Sequence, residues 1–125
     1  MLSDKTIMAF VAVSDADKAR PFYEGVLGLR LKRTDPYAMV FDCNGIELRM
    51  SIIKSLQPAF YSVLSWMVTD MPGMVRGLQA RGVVFERYEG VPQDELGIWT
   101  TPDGSQVAWF KDPDGNVLSL TQYAQ

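Results

Sequence analysis

Histidine is absent from this sequence, and cysteine occurs once, at Cys43. Without imidazole there is no Ser-His-Asp or Cys-His nucleophilic machinery, no histidine general base, and no zinc site built from nitrogen and sulfur ligands. A single thiol cannot close an internal disulfide, which fits a reducing compartment. Long apolar runs are missing as well. Nothing approaches the roughly 18 residues that span a bilayer, and Met1 to Lys5 leads straight into a strand-like segment, so the expectation is a cytoplasmic protein with no membrane association. Basic charge is scarce and scattered: 12 Lys and Arg against 15 Asp and Glu leave a net charge of −3. Dispersed cations do not form a phosphate-binding surface, which argues against nucleic acid as a partner.

What is present is an ordinary globular composition, 47% hydrophobic and 22% charged over 125 residues, enough for one core and one domain spanning 1–125. Within it lies an internal repeat. The stretch Met8-Ala9-Phe10-Val11-Ala12-Val13-Ser14-Asp15 is echoed by Val63-Leu64-Ser65-Trp66-Met67-Val68-Thr69-Asp70. Each copy reads as a strand running into a helix whose hydroxyl residue or Asp can accept from the free N–H groups of the first turn. The helices are predicted over Asp15 to Leu27 and Met71 to Ala80, each closed by a glycine, Gly28 and Gly82. Pro72 falls harmlessly in a first turn, whereas Pro21 lies deeper and should bend the first helix or delay its start.

Strands follow each helix. In the first half they are Leu29 to Arg33, Tyr37 to Phe41 and Ile46 to Ile53, the last two joined through the Asn44-Gly45 turn signal. In the second half they are Val83 to Tyr88, Gln106 to Lys111 and Val117 to Gln122. The runs Thr101-Pro102-Asp103-Gly104 and Asp112-Pro113-Asp114-Gly115 set Pro where φ is near −65° and Gly where φ can be positive, so both should close hairpins. Gly97 to Thr101 reads as a short extra arm, and Glu89 to Leu96 as a polar loop able to cover a site. The result is an α+β chain of two tandem βαβββ modules, about 5–53 and 61–123, with a linker over about 54–60.

Three motifs in order carry a resemblance: the paired modules, the phrase from Val13 to Leu29 (Val-Ser-Asp-Ala-Asp-Lys-Ala-Arg-Pro-Phe-Tyr-Glu-Gly-Val-Leu-Gly-Leu), and Asp112-Pro113-Asp114-Gly115-Asn116 before the last strand. Together they resemble the vicinal oxygen chelate superfamily of glyoxalases, bleomycin-resistance proteins and extradiol dioxygenases. The resemblance implies a curved mixed sheet with a concave ligand cup. It does not imply one activity, because that scaffold hosts many chemistries.

Strand alternation agrees without the family. One parity is almost uniformly apolar: Ile7, Ala9, Val11 and Val13; Ile46, Leu48, Met50 and Ile52; Leu64, Trp66 and Val68; Leu118 and Leu120. That face should lie under the helices, with Trp66 in the core. The other parity mixes Met8, Phe10, Glu47, Arg49, Val63, Ser65, Ser119 and Thr121, a composition suited to a small-ligand cup. If the Asp112 to Gly115 turn carries a bulge at Gly115, Trp109 pairs with Ser119 and joins Phe10 and Trp99 as cup walls.

In the metal-dependent members that the sequence resembles, four cup positions supply ligands, and the resemblance carries them to Met8, Glu47, Val63 and Ser119. Only Glu47 suits a divalent ion, so no metal and no cofactor are expected. The leading reading is metal-independent binding of a small organic ligand, an aromatic antibiotic or a small carboxylate, in the bleomycin-resistance manner. Arg49 would meet a ligand anion, or simply pair with Glu47 on the same strand face. The second reading is a metal-free lyase, isomerase or epimerase in which Glu47, with a raised pKa, is the general base and Arg49 steadies the anion. A third has Glu47 recruit a metal with Cys43 or Asp42. Proteins of this architecture commonly form homodimers, and that is the expected assembly.

Overall fold

The computed structural model describes all residues, 1–125. They divide into two compact units, Met1–Gln57 and Pro58–Gln125. Each unit is a mixed four-stranded sheet with its helix, which makes the chain α+β with two tandem modules and no closed barrel. No helix is long and apolar enough to cross a membrane.

In the first unit, β1 (Ala9–Val13) lies parallel to β4 (Ile46–Ile52), followed across the sheet by β3 (Ala38–Cys43) and β2 (Arg30–Asp35), both antiparallel to their neighbours. The β3–β4 hairpin turns through Asn44 and Gly45 at φ 52° and 91°, the two positive values that a two-residue hairpin demands. Val11, Val13, Met39, Phe41, Leu48 and Met50 alternate onto one face and are buried there, with Tyr23 from the helical segment 6.2 Å from the Phe41 ring. Ile7 does not join them. It precedes the start of β1 and is 69% exposed.

The first helix also departs from the expected single span. An α-helix, α1 (Ala16–Arg20), capped by the Asp15 carboxylate on the Asp17 N–H at 2.8 Å, gives way at Pro21 to a π-helical segment, Pro21–Val26. Proline has no N–H for the α ladder, and the chain widens so that the Leu27 N–H reaches back five residues to the Phe22 carbonyl at 2.9 Å.

The second unit orders its strands β5 (Ser62–Met67), β8 (Val117–Gln122), β7 (Gln106–Lys111) and β6 (Trp99–Thr100). The 10-residue α2 (Met71–Ala80) starts at Asp70, whose carboxylate accepts from the Gly73 N–H at 3.2 Å, and buries Met71 and Val75. Beneath lie Phe85, Ala108, Phe110, Leu118 and Leu120. Trp66 is not fully in this core. It is half-buried and stacks on Phe110 with ring centroids 6.3 Å apart.

The expected strand Val83 to Tyr88 does not form. Only Phe85 bridges to Phe110, and the Glu86 N–H donates to the Trp109 carbonyl at 2.8 Å, before the chain leaves the sheet. It returns as β6, with Trp99 opposite Val107 and Thr100 opposite Gln106. Gly97 to Thr101 is therefore no extra arm: Phe85-Glu86 and Trp99-Thr100 are two halves of one edge strand, separated by an excursion over 87–98 while the facing strand advances past Ala108 alone. Edge strands accept such bulges because only one side of the ladder is interrupted.

Candidate functional site

The second sheet presents an aromatic face. The Asp112 to Asn116 hairpin carries the bulge that the turn sequence suggested: the Gly115 N–H donates to the Asp112 carbonyl, the Asp112 N–H donates to the Asn116 carbonyl, each at 3.0 Å, and Gly115 has φ 87°. That register sets Trp109 opposite Ser119 and Val107 opposite Thr121. Trp99, opposite Val107, shares the face, and its ring stacks on Trp109 at 6.0 Å and 20°. Tyr88, on the outgoing stem of the excursion, meets Trp109 edge-on at 5.4 Å and 83°. All three rings are half-buried.

Alongside them run two hydroxyl pairs, Ser62 with Ser119 and Ser65 with Thr121, each at 2.8 Å between oxygens. Ser62 reaches Ser119 because β5 bulges at Val63, between Ser62 opposite Val117 and Leu64 opposite Leu118. Val63, one of the four positions implied by the resemblance, thus sits in a bulge, and the polar neighbour of Ser119 is Ser62, which the sequence did not mark. Tyr88 was likewise missed, since its place depends on a loop with no periodic signal.

Gln93 fixes the excursion. Its Oε1 accepts from the Tyr88 N–H at 2.8 Å, while its Nε2 donates to the carbonyls of Glu86 at 2.9 Å and Gly97 at 2.8 Å. One side chain ties the outgoing stem to the returning one, and so holds both Tyr88 and Trp99 in ring contact with Trp109. Asp94 closes the return by accepting from the Leu96 and Ile98 N–H groups, each at 2.9 Å.

The first sheet presents a different face. Phe10, 60% exposed, lies level with Arg49, which pairs on its other side with Val40. Arg49 is half-buried and does not pair with Glu47, as the shared strand face had suggested. The Glu47 carboxylate is instead taken by Lys32 at 2.9 Å and Arg33 at 3.1 Å. Two consecutive residues can reach one carboxylate because β2 bulges between Leu31 and Arg33; in a regular strand they would point to opposite faces. The hydrogen bonds from Lys32 and Arg33 hold the Glu47 carboxyl down to about 2, against an ordinary value of 4.5. The raised pKa expected of a general base is therefore overturned: the apolar neighbours are outweighed by two cations. Beside this cluster opens a shallow hollow of about 350 Å³ lined by Thr6, Ile7, Met8, Lys32, Gly45 and Glu47.

A sequence model of the glyoxalase/bleomycin resistance protein/dioxygenase superfamily matches residues 6–120. The chain belongs to this superfamily. Its fold agrees with solved members. It superposes on the fosfomycin resistance protein FosX of Listeria monocytogenes with a TM-score of 0.75 at 16% identity, over 99% of this chain and 96% of that one. For a superfamily protein of Alicyclobacillus acidocaldarius the TM-score is 0.74 at 19% identity, over 98% and 93%. For the lactoylglutathione lyase of Agrobacterium tumefaciens it is 0.70 at 20%, over 96% and 95%. At such identities the likeness establishes the fold. No curated protein sequence matches the chain.

The metal on which part of the superfamily relies does not fit the residues present. Of the four implied positions, Met8 offers a thioether and Val63 nothing. Ser119 is hydrogen-bonded to Ser62, and both Glu47 oxygens face cations. A hard or borderline divalent ion needs several oxygen or nitrogen donors converging, and nowhere do three His, Cys, Asp or Glu side chains gather. Neither Asp42 nor Cys43 joins Glu47 in such a cluster. Asp42 accepts from the Gly45 N–H at 3.0 Å, and burial pushes the Cys43 thiol up, with the Asp42 charge adding, away from the thiolate that binds metals.

Proposed function

We propose that the protein binds a small planar organic molecule, an aromatic antibiotic or an aryl acid, without a metal ion. The observation that carries this reading is the half-buried Trp99–Trp109 stack with Tyr88 edge-on to it, on a face otherwise lined by hydroxyls. Preorganised aromatic rings give a ligand large contact area at little entropic cost. In the first unit Arg49, half-buried beside Phe10, stands clear of Glu47, which is occupied by Lys32 and Arg33.

Proton abstraction by Glu47 is the weaker reading, since a carboxyl held near 2 is a poor base at neutral pH. Titration of tryptophan fluorescence with a panel of aromatic antibiotics and aryl acids tests the proposal. A ligand that quenches wild type should bind Trp109→Ala at least about tenfold more weakly, the equivalent of one lost aromatic contact. Unchanged affinity in that variant would refute the assignment of the face.

A further inference from the structure

The Tyr88 hydroxyl is buried and has no hydrogen-bond partner. Buried polar groups are nearly always paired, because leaving one unpaired forfeits its hydration with nothing in return. The hydroxyls and the amide around it are satisfied: Ser62 pairs with Ser119, Ser65 with Thr121, and the Gln93 amide uses its oxygen and its nitrogen on three backbone groups. The Tyr88 hydroxyl is the one buried side-chain polar atom there that has no partner.

Its surroundings define what it offers. Burial, with the Glu86 charge adding, pushes the phenol above its usual range, so at neutral pH it carries its proton and can donate. Its backbone is fixed by the bond from its N–H to Gln93, and its ring stands edge-on against Trp109. The adjacent residues Glu89, Gly90 and Pro92 are exposed, and the Gln93 side chain bonds to none of them.

We propose that the Tyr88 hydroxyl is the polar recognition group of the aromatic face, donating a hydrogen bond to an oxygen carried on the ring of an aryl carboxylate. This rests on the reading of the face as a site for planar ligands and adds the substituent that the site selects. For a ring packed on this face, an anionic oxygen brought to Tyr88 receives a charge-assisted bond from a donor that needs no release from a previous partner.

The test is calorimetric titration of 2-naphthoate and of 2-methylnaphthalene, which has the ring without the acceptor, into wild type, Tyr88→Phe and Trp109→Ala, with thermal melts of each free protein. The expected result is that Tyr88→Phe binds naphthoate about ten- to a hundredfold more weakly, as for loss of a hydrogen bond to a charged group. Its affinity for methylnaphthalene should be unchanged, and the free variant should melt no lower than wild type. Equal naphthoate affinity in wild type and Tyr88→Phe, with Trp109→Ala impaired, overturns this inference and leaves the aromatic site standing. A free Tyr88→Phe that melts several degrees lower also overturns it, since the hydroxyl would then have a partner within the protein. Absence of binding of both compounds to wild type overturns the site and the inference together.

Discussion

Replacing Gln93 by Ala tests whether one side chain holds the aromatic face together. Three hydrogen bonds vanish, from the Tyr88 N–H and to the Glu86 and Gly97 carbonyls, all part-buried. At about 1 kcal/mol net for each, the expected loss is about 2–4 kcal/mol. With an unfolding entropy of about 2.1 cal/mol/K per residue, that lowers Tm by roughly 10 °C in a chain of this length. Gln93→Glu is the sharper variant. A carboxylate can still accept from the Tyr88 N–H, but it cannot donate, and it sets negative charge against two carbonyl oxygens. It should therefore destabilise at least as much as Ala, although it is closer in shape. Differential scanning calorimetry of both variants, with amide exchange at Tyr88 as the local readout, checks this. Exchange at Tyr88 should quicken in both. A Gln93→Ala Tm within about 2 °C of wild type, or a Gln93→Glu more stable than Gln93→Ala, would refute the staple and the amide orientation behind it.

Glu47 makes the protein acid-sensitive in a defined window. Its folded pKa of about 2 lies below the ordinary 4.5, so its contribution is complete above about pH 4.5 and is lost as pH falls toward 2. Urea midpoints of wild type should fall more steeply over that window than those of Glu47→Gln, and salt should narrow the gap, the side chain being 31% exposed; parallel curves would remove the ion cluster from the account. Gly45→Ala should cost about 1–2 kcal/mol in urea denaturation, because φ of 91° is strained for a residue with a Cβ while no atom lies within 4 Å of where that Cβ would sit. A neutral substitution would mean that the hairpin relaxes out of its turn. Metal analysis of purified protein should find no stoichiometric divalent ion, and added Zn²⁺ or Mn²⁺ should leave Tm unchanged; an ion that binds and stabilises would contradict the donor chemistry at Met8, Glu47, Val63 and Ser119.

The strands and caps were legible in the sequence where the signal is local. Alternation marked β1, β4, β5 and β8, Asn44-Gly45 and the two Pro-Asp-Gly runs fixed their turns, and Asp15 and Asp70 capped the helices as their position before a helical pattern implied. Even the pairing of Trp109 with Ser119 could be read, since a glycine bulge shifts a hairpin by a definite amount. What escaped were the places where the chain breaks its own period. Val83 to Tyr88 has the composition of a strand, but only Phe85 and Glu86 touch the sheet, and the two residues of β6 are too few to show any alternation. Glu47 was read against its own strand, and its true partners came from a neighbouring strand whose bulge no residue type announces.

Those breaks are also where the aromatic face and the ion cluster form. A regular edge strand would place a ring from every second residue over the sheet and none beside it. Interrupting it over 87–98 lets Tyr88 leave the sheet and Trp99 rejoin it, so that both flank Trp109 from one strand edge. The interruption removes ladder hydrogen bonds, and Gln93 replaces them with three of its own. The bulge in β2 does the corresponding work in the first unit, bringing Lys32 and Arg33 onto Glu47 and leaving Arg49 clear of it. In both units a departure at the edge strand decides which side chains are tied together and which stand apart.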